Sequence, residues 1–260
     1  GSGEITKIGK GVDKKRLGQK VWVWNGQWQR PHGTASQFIA LPSEQAILIP
    51  KTMSFETGAC LGIPGLTAAQ CTLGDGSLKG KTILISGGAG SVGNLSIQLA
   101  KWSGARVIAT GSSTGFDRIK NAGADYVFDY SDPQLEQKIL DISPSGIDRV
   151  IEVEFGNNIN LFPKIMKPYS VLSVYGSAKN MVPILPFGQY LYKGIKISIE
   201  LIYILPELPR LRAIKNLHDA HFDKALKTGI DTIYDLNECA IAHDKSLTPG
   251  RAGAILLNTN

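Results

Sequence analysis

The sequence predicts an α/β protein in which a doubly wound parallel sheet of the Rossmann type is combined with a β-rich unit. First, Lys81–Trp102 joins a short apolar strand, a glycine-rich turn and an amphipathic helix. Second, strand and helix patterns alternate from Val107 to Tyr175, which is typical of a parallel sheet. Third, the beginning and the end of the chain show short strand patterns separated by glycine and proline.

The first 55 residues favour strands and turns over helices. The candidate strands are Glu4–Ile8, Val21–Trp24, Ser36–Ala40 and Ala46–Ile49. From Phe55 to Leu73 the sequence is compatible with helical segments that are interrupted at Gly62, Pro64 and Gly65. A small β unit is therefore expected to lead through broken helices into the central strand.

The central strand and its helix enclose a glycine-rich turn. Thr82–Ile85 is apolar and β-branched, and the apolar spacing from Val92 onward places one stripe on a helix. Gly88, Gly90 and Gly93 between them form G-x-G-x-x-G, in which we expect Gly88 to permit the tight turn, Gly90 to admit a pyrophosphate and Gly93 to let helix and strand pack closely. Amide groups at Ala89, Ser91 and Val92 would then face the anion at the helix N-terminus. This combination predicts a dinucleotide site. A phosphate-binding P-loop is disfavoured because no Gly-Lys-Ser/Thr follows.

The chain after this turn alternates between the two patterns. The expected elements are strands at Val107–Ala109, Tyr126–Phe128, Val150–Val153 and Val171–Tyr175 and helices at Asp117–Asn121, Pro133–Leu140 and Ile159–Met166. The apolar segment Ile195–Ile204 is interpreted as a long last strand, and a helix is expected at Leu211–Lys227. The tail returns to short strands that end at Ala254–Leu257.

Composition sets limits on the class of protein. The chain has 260 residues, of which 43% are hydrophobic and 19% are charged, and no apolar segment approaches the length of a membrane span. No signal-peptide pattern is found at the amino terminus, so a cytoplasmic protein is expected. The net charge of +6 is interpreted as a solvated surface, because no aromatic recognition pattern accompanies the lysines near the amino terminus; nucleic acid is the less favoured alternative.

Several ordered blocks carry a family likeness. They are GEITKIGKGV, LGQKVWVWN, HGTASQFIALP, ILIPKTMSFETGACLGIPGLTA, SGGAGSVG, GADYVFDY and GRAGAILL. Over nearly the whole chain these blocks resemble zinc-free quinone oxidoreductases, the zeta-crystallin-like branch of the medium-chain dehydrogenase/reductase superfamily. Members of that branch begin with further strands ahead of the block matching Gly3–Val12, and those strands are absent here.

The resemblance implies both architecture and activity. A β-rich (GroES-like) catalytic domain would comprise residues 1–63 and 206–260, and a Rossmann dinucleotide-binding domain residues 64–205. The activity would be transfer of a hydride from NADPH to a quinone or a related electron-poor carbonyl acceptor, in a homodimer paired through the strand Ile195–Ile204. An enone or enoyl reductase on the same fold and a non-catalytic NADPH-binding protein are the alternatives.

The resemblance also indicates residues that bind the cofactor, and no catalytic residue. Thr67 matches the family position whose hydroxyl reaches the cofactor, although a helix-start role fits it equally. Two segments after strand ends would line the nicotinamide side, and a third segment with a tyrosine would lie near the ribose phosphate. The segments are Glu154–Gly156, Tyr175 with Gly176 and Ser177, and Gly111, Ser112 and Ser113 with Tyr130.

The choice between NADPH and NADH depends on the end of the second strand. NADH enzymes place an acid there to bind the ribose hydroxyls, whereas this sequence has Gly111, Ser112 and Ser113. NADPH is therefore expected, with NADH the less favoured cofactor. The cations that relatives often carry are replaced by Thr114 and Gly115.

The sequence argues against a metal and against one rival enzyme class. Ile63 occupies the position of a zinc-ligating cysteine in the zinc-dependent branch, and the three cysteines are dispersed, so no metal is expected. Tyr192 and Lys196 have the Tyr-x-x-x-Lys spacing of short-chain dehydrogenases. However, Gly194 and the apolar segment after it disfavour a shared helix for that pair.

Overall fold

The computed structural model describes residues 1–248 and 250–259. It divides the chain into two compact units, one formed by Gly1–Leu66 with Leu217–Asn260 and the other by Thr67–Asn216. Both boundaries fall later in the chain than residues 63 and 206, where the sequence placed them. The predicted range 206–260 includes residues 249 and 260, which lie outside the described residues.

The first unit opens with a small sheet. Its elements are β1 (Ser2–Glu4), β2 (Lys20–Val23), β3 (Ala46–Leu48) and the helix α1 (Phe55–Ala59). The strands pair antiparallel in the order β1-β2-β3. Two strand predictions are wrong here: Glu4–Ile8, because the strand ends at Glu4, and Ser36–Ala40, which forms no strand. In the second case the alternating pattern finds no partner strand, and Phe38 remains 76% exposed.

The second unit contains the alternating strands and helices. After a π-helical segment, Leu61–Gly65, the elements are α2 (Leu66–Leu73), β4 (Thr82–Ile85), α3 (Ser91–Trp102), β5 (Arg106–Gly111), α4 (Phe116–Asn121), β6 (Tyr126–Asp129), α5 (Leu135–Ile142), β7 (Ile147–Glu152), α6 (Phe155–Asn158), α7 (Phe162–Ile165), β8 (Met166–Val174), α8 (Phe187–Lys193) and β9 (Lys196–Ile199). The six strands are parallel in the order β6-β5-β4-β7-β8-β9. This is the doubly wound order, in which successive strands are added on one side of β4 up to β6 and on the other side from β7 onward, so the order of the strands reverses between β4 and β7. The predicted fold class is confirmed.

One core cluster of this unit lies between the sheet and the helices α5, α7 and α8. Leu84, Ile108, Val150 and Leu172 contribute from neighbouring strands, and Ile139, Phe162, Ile165 and Tyr190 contribute from α5, α7 and α8. β4 is almost continuously apolar, as expected of a buried parallel strand, whereas β7 also carries Asp148, Arg149 and Glu152.

The last part of the chain begins in the second unit and, from Leu217 onward, completes the first. Its elements are α9 (Glu207–Phe222), β10 (Ile230–Asp235), α10 (Cys239–Leu247) and β11 (Ala254–Asn258), with β10 and β11 parallel. The helix predicted at Leu211–Lys227 begins and ends earlier, since Pro209 is accommodated in the first turn of α9. In the parts of the chain that the structure describes, no helix is long and apolar enough to span a membrane.

Two further predictions are wrong in their extent. The helix expected at Ile159–Met166 is restricted to α7, and Met166 already belongs to β8. The long strand Ile195–Ile204 is reduced to β9, and a 3-10 turn, Ile202–Ile204, follows it. The neighbouring strand β8 ends at Val174, which pairs with Ile199, so the segment has no partner beyond that point. Arg210 instead binds the carbonyl groups of Ile202 and Leu205.

Candidate dinucleotide site

The glycine-rich turn is held at the point where the strand order reverses. The Ser86 amide donates to the Ile151 carbonyl of β7 at 2.9 Å, and the Gly88 amide donates to the Thr110 carbonyl of β5 at 2.8 Å. Gly87 has a φ of 68°, so it makes the left-handed step. Gly88 has no such angle; a Cβ there would lie 3.0 Å from the Ile97 side chain, which makes it a packing glycine rather than the turn-forming residue that the motif predicts.

The same turn is crowded on one side and open on the other. A Cβ on Gly93 would lie 2.3 Å from the Gly87 carbonyl oxygen, so α3 packs directly on the turn. A Cβ on Gly90 would meet only that oxygen, at 3.3 Å. Gly90 is also the N-cap of α3 and offers no capping side chain to the first-turn amides. These donors and the positive end of the helix dipole form a cradle that fits a pyrophosphate.

The end of β5 lies next to this turn. A Cβ on Gly115 would lie 2.6 Å from the Ala89 Cβ, and the Tyr130 amide donates to the Gly111 carbonyl at 3.2 Å. The structure thus brings Ala89, Gly111 and Tyr130 together, and Ser112 and Ser113 follow Gly111 directly. The Tyr130 ring is exposed.

Asp129 is a residue of this region that the sequence reasoning missed. Its carboxylate accepts hydrogen bonds from the Ser131 amide and hydroxyl, at 2.8 and 2.5 Å. The Ser131 hydroxyl is the main reason that the pKa of Asp129 lies below its usual value, and the Ser113 backbone contributes. An acid therefore lies near the end of β5, although it belongs to β6. Its position directly before Tyr130 was the available signal.

The ends of β7 and β8 form a second cluster. Glu154 and Ser177 form an isolated antiparallel β-bridge. The Phe155 amide donates to the Gly176 carbonyl at 3.1 Å, and the Gly156 amide donates to the Ser177 hydroxyl at 2.8 Å. A Cβ on Gly176 would lie 2.5 Å from the Val153 carbonyl oxygen, so the approach requires glycine. The two predicted nicotinamide segments are therefore joined. Burial raises the pKa of the Tyr175 hydroxyl, and Cys71 and Glu152 raise it further.

Glu152 was also missed, although it immediately precedes this cluster. It is the last residue of β7 and is 0% exposed. Its position within an apolar strand pattern was the sequence signal, because acids are almost never fully buried without a partner.

The remaining predicted positions lie elsewhere. Thr67 is buried in the first turn of α2, and its contact with the cofactor stays a prediction. Ile63 lies in the π-helical segment. Within residues 1–248 and 250–259, no group of three or more His, Cys, Asp or Glu side chains could hold a metal ion.

Comparisons with known proteins agree with this geometry. Residues 91–210 match the zinc-binding dehydrogenase family. A human synaptic vesicle membrane protein VAT-1 homolog is 30% identical over 182 residues, which are 68% of this chain and 44% of that protein. An Arabidopsis thaliana chloroplast envelope quinone oxidoreductase homolog is 28% identical over 268 residues, which are 98% of this chain and 77% of that protein.

The chain belongs to the quinone oxidoreductase-like branch of the medium-chain dehydrogenase/reductase superfamily. A mycobacterial superfamily structure solved in complex with NADPH superposes with a TM-score of 0.84 at 22% identity, covering 98% of this chain and 80% of that one. Its likeness shows that the two proteins share a fold. The chain spans less than half of the human relative's length.

Proposed function

We propose that the chain is an NADPH-dependent oxidoreductase that delivers a hydride to a quinone or a related electron-poor carbonyl acceptor without zinc. The observation that carries this proposal is the turn from Gly87 to Gly93, which lies at the reversal point of the sheet and is open only at Gly90. Nucleotides bind at this point in doubly wound sheets. The similarity to the Arabidopsis quinone oxidoreductase homolog supports a quinone as the acceptor.

The residues of the second unit divide the cofactor between two clusters. The first-turn amides of α3 bind the pyrophosphate, and Gly111–Ser113 with Tyr130 hold the adenosine ribose. Glu154–Gly156 and Tyr175–Ser177 orient the nicotinamide end. When bound, NADPH supplies the hydride. The protein's contribution is orientation of the reacting groups and exclusion of water.

The acceptor chemistry fits a site without a Lewis acid. A quinone is already electron-poor, and the oxyanion formed on it is stabilised by aromatic delocalisation, so little polarisation is needed. Ile63 has no atom that can ligate a metal, and a thiolate would be required at that position in a zinc site of the superfamily.

Cofactor titration and turnover test this function together. We expect NADPH to bind more tightly than NADH, 1,2-naphthoquinone to be reduced, and a chelator to leave the rate unchanged. If a chelator removed bound zinc and abolished turnover at the same time, the metal-free mechanism would be contradicted. Binding without reduction of a quinone or an enone would favour the non-catalytic alternative, and tighter binding of NADH would reverse the cofactor assignment and implicate Asp129.

A further inference from the structure

Glu152 is a fully buried acid at the reversal point of the sheet. One carboxylate oxygen, Oε1, accepts hydrogen bonds from the Glu154 amide and from Asn158 Nδ2, the latter at 3.1 Å. The other oxygen, Oε2, is buried and has no hydrogen-bond partner among the described residues. A second acid, Glu154, lies close enough for its negative charge to raise the pKa of Glu152. Only one of the two oxygens of Glu152 is therefore hydrogen-bonded, and among the described residues no cation lowers its pKa.

Such surroundings favour the protonated acid. An ionised oxygen that is removed from water without a donor loses its solvation, and the protonated form avoids that loss. Burial is the main cause that raises the pKa of Glu152, and the Glu154 amide, Asn158 and the Ser86 hydroxyl oppose it. A proton on Oε2 leaves Oε1 free to keep both of its hydrogen bonds.

Those hydrogen bonds lie at the base of the nicotinamide cluster. Glu152 fixes the Glu154 amide, and the Glu154 carboxylate in turn accepts from the Lys179 amide at 2.9 Å. The Tyr175 amide donates to the Glu152 carbonyl at 3.0 Å. A single residue therefore ties both segments of the cluster, one through its side chain and the other through its backbone.

We propose that Glu152 is a positioning residue that works as a neutral carboxylic acid, holding Glu154–Gly156 and Tyr175–Ser177 for the nicotinamide half of the cofactor, and that its ionisation weakens cofactor binding. This inference rests on the proposed function, because it takes the two segments to contact the dinucleotide. The titratable groups that interact electrostatically with Glu152 are Glu154, Tyr175 and Tyr190, and none of these three can carry a positive charge. A bound anionic cofactor disfavours a further negative charge there, so binding and protonation support each other.

The sign of the pH effect follows from this coupling. Cofactor affinity is highest where Glu152 is neutral and falls as rising pH ionises the acid. Glu152→Gln keeps a neutral side chain with a carbonyl oxygen, so it preserves the hydrogen bonds of Oε1 but cannot titrate. Asp148→Asn, at the opposite end of β7, is the matched control.

The test measures NADPH dissociation constants from about pH 6 to about pH 9. We expect the wild type and Asp148→Asn to lose affinity with rising pH by up to about tenfold per unit once the acid ionises. Glu152→Gln should bind as tightly as the wild type does at low pH and show no such loss. NADPH binding with the same pH profile in the wild type and in Glu152→Gln overturns the inference alone, whereas a wild type that binds no NADPH at any pH overturns the proposed function as well.

Infrared difference spectroscopy adds a readout that needs no cofactor. The wild type should show a protonated-carboxyl stretch at neutral pH that is absent from Glu152→Gln and present in Asp148→Asn. If Glu152→Gln does not fold, isotope-labelled glutamate in the wild type reports the same band and its disappearance on alkaline titration. An ionised Glu152 at neutral pH would refute the proposal.

Discussion

Gly90 and Gly93 lie three residues apart in one turn and have different surroundings. Beside Gly93 the Gly87 carbonyl oxygen leaves no room for a Cβ, whereas beside Gly90 the space is nearly open and φ is −69°. The motif therefore contains one glycine required for folding and another whose requirement depends on the ligand. Substitutions at the two positions should have separable effects.

We expect Gly90→Val to fold normally and to lose NADPH affinity, because its methyl groups would occupy the approach of the phosphates. The matched variant Gly93→Ala should instead lower the free energy of unfolding by about 1–3 kcal/mol, the usual cost of forcing a methyl group into a packed site. Urea unfolding and cofactor titration measure the two effects. Unchanged NADPH affinity in folded Gly90→Val would remove the assignment of this turn.

Another residue-scale feature is a tryptophan bound to a histidine in the first unit. The Trp22 side chain is 0% exposed, and its indole Nε1 donates to His218 Nε2 at 3.1 Å. His218 must therefore be neutral, with its proton on Nδ1. Burial lowers the pKa of His218, His221 lowers it further, and Asp219 opposes both.

This pair predicts acid-sensitive stability. The unfolded chain takes up a proton near the ordinary histidine pKa of about 6.5, whereas the folded chain resists it to lower pH. Stability is thus complete above that value and falls as the pH drops toward the folded-state pKa, by about 1 kcal/mol for one hydrogen bond. His218→Gln, which keeps an acceptor for Trp22, should lose less stability on acidification. Equal losses in urea unfolding of the two proteins would contradict this.

At the scale of an element, β9 is an edge strand of the six-stranded sheet. Its neighbour β8 occupies one side, and the Glu200 amide donates to the Val174 carbonyl at 2.8 Å. Because successive amides of a strand point to opposite sides, the amides of Ile197 and Ile199 face the open side. Ile199 is also 78% exposed. An exposed edge of this kind pairs readily with a second strand.

We predict that two copies pair through β9, antiparallel about a two-fold axis. Ile199→Pro should shift the protein toward monomer because it removes an outward-facing donor, whereas Ile199→Ala keeps the donor and serves as the matched control. Sedimentation at micromolar concentration measures the effect, and circular dichroism checks the fold. A wild-type chain that stays monomeric at that concentration would refute the pairing.

At the scale of the whole molecule, the two units differ in how much of their structure the local sequence pattern predicts. In the second unit, strands and helices alternate along the sequence, and this alternation predicts a doubly wound parallel sheet. In the first unit, β10 and β11 come from the far end of the chain. Its strands are only three to six residues long, so each carries too short a pattern to distinguish a strand from a turn.

The sequence alone determined the doubly wound sheet and the turn at Gly88–Gly93, because a buried strand, a glycine pattern and an amphipathic helix are adjacent in the chain. It also placed an isoleucine, whose side chain cannot ligate a metal, at position 63. Only the tertiary structure decided that Ser36–Ala40 lacks a partner strand and that the strand after Ile195 stops at Ile199, where β8 ends. It alone placed Asp129 beside Gly111–Ser113 and left Glu152 Oε2 without a hydrogen-bond partner among the described residues, because the first depends on the pairing of β5 with β6 and the second on the packing around the end of β7, which local pattern does not encode.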